Sequence, residues 1–485
     1  MYFNSFVYIF LFLPIVLLLY SLTRKHAFSK YIIVIASIIF YGWQEPWFVV
    51  PMLASGLVDY YLAQKIAESK DDGVRKKLLI FSIVFNISLM SFFKYTGWIS
   101  ESIVALGAYT GFSVLTTPIH VPLPPGVSFY TFETISYTAD VYKKEFHPTR
   151  RLLDYLNFLV FFPHLVAGPI RRARQLLPIL SEYRPAITST IANQALIYIV
   201  WGLFLKIFCA DNMGAIVENI DGQIQRQGSL GAGMGLLFMY AFAFQIYCDF
   251  AGYSLIARGS ALLFGVEIDR NFLTPYFSVN PSEFWQRWHI SLSSWLRDYV
   301  YISLGGNQHG TVITLRNLLI VMFLVGLWHG AGAFFILWGL WHGLLLVLYR
   351  IVPIDKWLEE MFGALGRLVA IIVFFHLVCF GWILFRSNPG TFWPIVHSIL
   401  QLQFTPKRLI QTLLGSSVMV LGWTYLVYML PVLITDLVGY LNKCEFPDLW
   451  LTFNNMTKVL VLLAVVYAMI WFGARQANEF IYFAF

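Results

Sequence analysis

The sequence predicts an all-α protein that crosses a membrane many times. Three observations carry that expectation: a composition starved of charge, a series of apolar runs of helical length, and basic residues gathered in the short segments between them. Of 485 residues, 58% are hydrophobic and 12% charged. A soluble domain carries roughly 25% charged residues, so something other than water must cover much of this surface. No polar block is long enough to fold as a separate soluble domain. One membrane-embedded domain is expected over 1–485, with its chemistry concentrated at about 232–350.

A spanning helix needs about 20 mostly apolar residues. Runs that meet this lie at 3–22, 78–99, 186–210, 232–256, 312–329, 333–350, 366–385, 412–432 and 457–473. Stretches at 31–43, 47–63, 124–142 and 152–168 are shorter or more polar. Together they predict about 10 to 13 crossing or re-entrant helices. The first run has no basic segment before it and no small-residue cleavage site, so it reads as a retained span.

Orientation follows from basic residues in short loops. Arg24, Lys25 and Lys30 follow the first run, and Lys65, Lys70, Arg75, Lys76 and Lys77 crowd 64–77, whereas 100–142 holds neither lysine nor arginine. This places the N-terminus and 100–123 outside, and 23–30, 64–77, 143–151 and 171–184 in the cytoplasm. Segment 152–170 then cannot cross an odd number of times, and a re-entrant FFPHLVAGP broken by Pro163 and Pro169 resolves the conflict. The net charge of +7 is explained by these loops, so nucleic acid is not an expected partner. The four cysteines stand singly, with no CxxC, and point to neither a disulfide framework nor a metal site.

Residues 283–299, EFWQRWHISLSSWLRDY, differ in kind. Phe284, Trp285, Trp288, Leu292, Trp295, Leu296 and Tyr299 fall at three- and four-residue spacing, with Gln286, Arg287, Ser293, Ser294, Arg297 and Asp298 opposite. This predicts one amphipathic helix lying in the interface. Its arginines would meet the phosphates of a cytoplasmic donor or, more plainly, lipid headgroups and Asp298.

Titratable groups at membrane depth are functional candidates by default. His329, after an apolar helix and among Gly326, Gly330 and Gly332, is the first of them. His289 sits with the apolar stripe of 283–299. His342, in the echo WGLWHG, would lie about 140° from His329 if the helix ran unbroken, so it reads more readily as structural. Asp249 needs an arginine, a histidine or several donors to stay ionised within its span; anchoring and positioning of a histidine are equally open to it. Glu133 and His164 are weaker candidates. A buried histidine stays neutral and can take a hydroxyl proton, while histidine or tryptophan N–H groups such as that of Trp328 can stabilise an oxyanion. A dry site protects a thioester from hydrolysis. No GxSxG, Walker loop or HExxH is present. The residues suit acyl transfer; a transporter without bond chemistry is the alternative, and the paired broken halves common in transporters are not evident.

RWHISLSSWLRDYVYISLGGN (287–307) and GLWHGA (326–331) closely resemble the membrane-bound O-acyltransferase family, and within it the alginate O-acetyltransferase branch. FFPHLVAGPI (161–170), QIYCDFAGYS (245–254), NFLTPYFSVNPSEF (271–284), WILFR (382–386) and FIYFAF (480–485) extend the resemblance over nearly the whole chain. It implies a ring of helices around a tunnel, with His329 as the signature histidine and His289 as the second essential position. It also implies an acetyl group taken from a cytoplasmic thioester, acetyl-CoA by expectation, with no tightly bound cofactor. The acetyl would be passed to an extracytoplasmic SGNH-type partner that acetylates an exported polysaccharide. The same family includes transferases that move D-alanine from a carrier protein to cell-wall polymers. His164 stands where that branch leads one to expect glutamine.

Overall fold

The computed structural model describes residues 1–111, 115–166, 168–182, 187–401, 416–475 and 479–481, the side chains of 416–418 excepted, and every regular element among them is helical. Among these residues, eight helices are long and apolar enough to cross a membrane. Two further apolar helices, Tyr8–Thr23 and Phe28–Tyr41, are shorter; the expectation is about 10 to 13 crossing or re-entrant helices. The chain divides into two compact units, Met1–Leu196 with Ala257–Asp269, and Ile197–Ile256 with Arg270–Phe485.

The first unit is built from α1 (Leu13–Thr23, entered through a π turn at Tyr8–Phe12), α2 (Phe28–Tyr41), α3 (Val49–Glu68), α4 (Asp72–Thr110), α5 (Val127–Tyr142), α6 (Leu152–Val160), α7 (Phe162–Leu165) and α8 (Ala173–Ser181). Asp71 caps α4 by accepting from the amides of Gly73 and Val74, satisfying donors that have no partner within the helix. At 39 residues and 1.5 Å per residue, α4 is about 58 Å long. That exceeds a hydrocarbon core of about 30 Å, so 64–77 and 100–111 stand at opposite ends of one rod.

The basic segments meet at one of those ends. The Tyr60 hydroxyl donates to the Arg150 carbonyl at 2.7 Å, Gln64 to that of Thr149 at 2.6 Å, and Arg75 to that of Tyr142 at 2.5 Å. Lys30 Nζ joins Asp154 at 2.5 Å and the Ser181 carbonyl at 2.8 Å. One amine thus ties together the entry and the exit of the segment 152–170. Its helices, nine and four residues long, are too short to span, so the segment leaves by the end at which it entered. Impermeant thiol reagents are expected to label single cysteines at 102–111 from outside, and those at 66–77 only after permeabilisation. The reverse pattern would invert the orientation.

Where α3, α4 and α5 cross, polar groups replace the usual apolar contact. Asp59 accepts from Ser82 at 2.7 Å and from Asn86 at 2.8 Å, and Ser55 donates to Asn86 at 2.5 Å. Such bonds hold helices together where water cannot compete. Glu133 and His164 are buried against each other, 3.1 Å apart, with the Arg171 amide donating to the same carboxylate.

The second unit begins within α9 (Ser189–Leu203), which continues through a π turn at Phe204–Ala210 into α10 (Asp211–Gln227). There follow α11 (Met234–Leu262), α12 (Pro281–Arg287), α13 (Ile290–Leu296), α14 (Gly310–His329), α15 (Ala333–Ile351), α16 (Ile354–Phe362), α17 (Ala364–Arg386), α18 (Pro389–Leu400), α19 (Ser416–Asn442), α20 (Phe446–Trp450) and α21 (Asn455–Phe472). The run expected at 412–432 is α19, its first residues lying outside the described part, as does most of the terminal motif 480–485. Gly202 and Gly252 let two of these helices touch backbone to backbone. A Cβ on Gly202 would stand 2.6 Å from the Gly252 carbonyl oxygen, which no side chain tolerates.

The single amphipathic helix expected over 283–299 is not formed. It breaks at His289, whose backbone is left-handed (φ 44°, ψ 54°), and passes into a π turn at Arg297–Tyr301. The break is held from outside: the Leu273 amide donates to the Arg287 carbonyl, and the Ile290 amide to that of Asn271, each at 2.9 Å. Tertiary partners thus replace the helical ladder there. The apolar stripe itself is real, since Phe284, Trp288, Leu292, Trp295 and Leu296 are all buried.

Candidate active site

His329 is the last residue of α14, and its position is set by how closely α14 and α15 approach. A Cβ on Gly339 would lie 2.3 Å from the Met322 carbonyl oxygen; small residues are what allow such contact. The unbroken helix that would have separated His329 from His342 is absent, because the chain turns at Gly330–Gly332 and α15 folds back on α14. Trp338 on α15 therefore meets both imidazoles edge-on, with centroids 4.8 Å from His329 and 5.0 Å from His342. Phe385 closes the His329 side at 5.3 Å, while Phe284 and Trp285 flank His342 at 5.7 and 5.3 Å.

His289 reaches the same cluster from the break between α12 and α13. Its ring is 5.8 Å from that of Trp328, which is 4.9 Å from that of His329, so the two imidazole centroids lie within about 11 Å of each other. Phe250 of α11 covers its other side at 4.6 Å. All three histidines are buried. Burial pushes the His289 imidazole down to about 3, far below its ordinary value, so the ring is neutral.

Which nitrogen of that neutral ring is basic follows from Asn271. The side-chain oxygen of Asn271 accepts from the Ser291 amide at 3.1 Å and from the Ser291 hydroxyl at 2.9 Å. A backbone N–H can only donate, so the amide orientation is settled. His289 Nδ1, 3.3 Å from the same oxygen, is then the protonated nitrogen, and Nε2 carries the lone pair. Asn271 was not legible as a functional residue, because a neutral amide gives no titration or spacing signal. Trp338 was within reach, standing in the WGLWHG motif.

Two further residues of this buried cluster carry uncommitted polar atoms. The Trp338 indole N–H and both ring nitrogens of His342 have no hydrogen-bond partner among the described residues. Buried groups of that kind can receive a developing negative charge without first reorganising.

The remaining candidates are committed elsewhere. Asp249 is met by several donors, one of the options the sequence left open, and the cation among them is a lysine: Lys206 Nζ lies 2.8 Å from Asp249 and 2.7 Å from Asp211. The Ile481 amide also donates to Asp249 at 2.7 Å. Asp249 is thereby held next in sequence to Phe250, which packs against His289. Arg287 is held by Glu283 at 2.7 Å and by the Thr274 hydroxyl at 3.0 Å, and it stacks over Tyr440. Arg297 is exposed and pairs with Asp298 at 2.7 Å.

Residues 28–353 match the membrane-bound O-acyltransferase family. The chain belongs to that family. It is an O-acyltransferase and a multi-pass membrane protein. It is 38% identical over 394 residues (80% of this chain, 73% of the relative) to a probable alginate O-acetylase of Pseudomonas syringae. It is 31% identical over 420 residues (80% and 77%) to a peptidoglycan O-acetyltransferase of Helicobacter pylori. A teichoic acid D-alanyltransferase of Bacillus subtilis is 29% identical over 287 residues, 54% of this acyltransferase and 69% of that protein.

Proposed function

We propose that this acyltransferase takes an acetyl group from a cytoplasmic thioester, acetyl-CoA by its chemistry, and delivers it across the membrane for O-acetylation of an exported, alginate-like polysaccharide, through an extracytoplasmic SGNH-type partner. The observation that carries this reading is the convergence of His329 and His289 on one buried indole. Similarity to alginate and peptidoglycan O-acetyl transfer proteins supports the acetyl group and the polymer.

In this scheme the acceptor hydroxyl oxygen attacks the thioester carbonyl as a histidine removes its proton. The negative charge that builds on the carbonyl oxygen falls to buried N–H donors such as that of Trp338. The C–S bond breaks, and the proton returns to the leaving sulfur, so no net proton is consumed. The Nε2 lone pair of His289 can accept a hydrogen bond from the acceptor hydroxyl and so orient it.

Purified protein in lipid nanodiscs, given acetyl-CoA and a hydroxyl acceptor, is expected to release free thiol in proportion to acceptor acetylated. His289→Ala is expected to lower transfer while acetyl-CoA still binds; lost donor binding would move His289 to the donor side. A protein that binds acceptor but releases no thiol would be a transporter, and the proposal would fail.

A further inference from the structure

The hairpin of α1 and α2 carries two cavities that the acyl-transfer chemistry does not use. One is an apolar groove of about 460 Å³ lined by Phe12, Ile15, Val16, Ile32, Ala36 and Ile39 among others. The other, about 210 Å³, sits at the connection between the helices and is lined by Tyr20, Arg24, Lys25, His26, Ser29 and Lys30, with Leu180, Ser181 and Glu182 closing it.

The two cavities lie on the same helix stripes. Phe12 and Val16 line the groove, and Tyr20 and Arg24, at successive steps of four, line the pocket. On α2, Ser29 belongs to the pocket, and Ile32, Ala36 and Ile39 continue its face along the groove. Residues three and four apart are neighbours on a helix, so each stripe leads from the pocket into the groove.

Charge distinguishes the pocket from an ordinary helix end. Lys30 is already held by Asp154 and the Ser181 carbonyl. Arg24 and Lys25 have no ion pair among the described residues, and Glu182 is the one carboxylate lining the cavity. A basic concavity in line with an apolar groove along the same two helices is complementary to a ligand with a negative head and an alkyl tail. We propose that the α1–α2 hairpin binds one anionic phospholipid, its phosphate against Arg24 and Lys25 and an acyl chain along the groove. A soluble phosphate compound would use the pocket and leave the groove empty; the groove favours the lipid.

The test is lipid binding by purified protein, read by native mass spectrometry during titration with phosphatidylglycerol. The wild type is expected to keep one such lipid per chain, in preference to phosphatidylcholine. A cation near a membrane surface contributes roughly fivefold in binding, so Arg24→Gln with Lys25→Gln is expected to weaken retention roughly 25-fold. Ile35→Trp, which adds bulk along the exposed side of the groove and leaves every charge in place, is expected to weaken it as well. Unchanged phosphatidylglycerol binding in both variants, or displacement of the lipid by an equal concentration of inorganic phosphate, would overturn the proposal.

Discussion

His329→Gln is expected to leave a folded, membrane-inserted protein whose acyl transfer falls by at least roughly 10²-fold, the usual loss on removing a general base. The expectation rests on where the ring sits. His329 ends α14 between Trp328 and Trp338, with Phe385 closing the third side. Glutamine fills much of the same volume and can still donate a hydrogen bond, but it cannot take a proton at neutral pH. The aromatic walls and the glycine contact between α14 and α15 are untouched by the change. Thiol release from acetyl-CoA, measured on protein that elutes as a single species in detergent, reads the effect. Near-normal transfer by well-folded His329→Gln would remove His329 from the chemistry.

The second large effect concerns stability. Lys206 is buried with Asp211 and Asp249 within 2.8 Å of its amine. Removing one partner from such a group strands the others without solvation, at a cost of about 3–5 kcal/mol, whereas replacing the whole set with apolar or neutral side chains is often neutral. Lys206→Met alone should therefore lower the Tm sharply and cut the yield of folded protein. Lys206→Met combined with Asp211→Asn and Asp249→Asn should recover most of the loss. A single variant as stable as the wild type, or a triple variant no better than the single, would show that the three groups do not act as a unit. If the triple variant regains stability and transfer together, Asp249 is confirmed as an anchor.

The helix pattern was legible because it depends on a local quantity. Within the described residues each apolar run of spanning length is a helix, and the basic segments assigned to the cytoplasm by their lysines and arginines meet at one end of the first unit, tied by Lys30, Gln64 and Arg75. His329 was legible for a similar reason: a histidine between an apolar helix and a glycine turn is costly at membrane depth and visible in a few residues of sequence.

Periodicity failed wherever long-range contacts override the local ladder. Between Arg287 and Ile290 the stripe of 283–299 continues in sequence while the backbone does not, because Asn271 and Leu273 take over the hydrogen bonds that a helix would have made internally. The 140° separation of His329 and His342 fails for the same reason: a three-residue turn at Gly330–Gly332 reverses the chain, and Trp338 then packs against both rings.

The sequence by itself determined that this is an all-α membrane protein, which segments are helical, and that His329 and His289 deserve scrutiny. Burial length, charge asymmetry and the cost of a titratable group in an apolar run are all properties of short stretches of chain. Only the tertiary structure decided that Asp249 faces Lys206, that Asn271 sets the tautomer of His289, and that one indole joins the two histidines. Those facts depend on which helices touch, and that depends on close backbone approaches, Gly202 to Gly252 and Gly339 to Met322, between residues far apart in the chain.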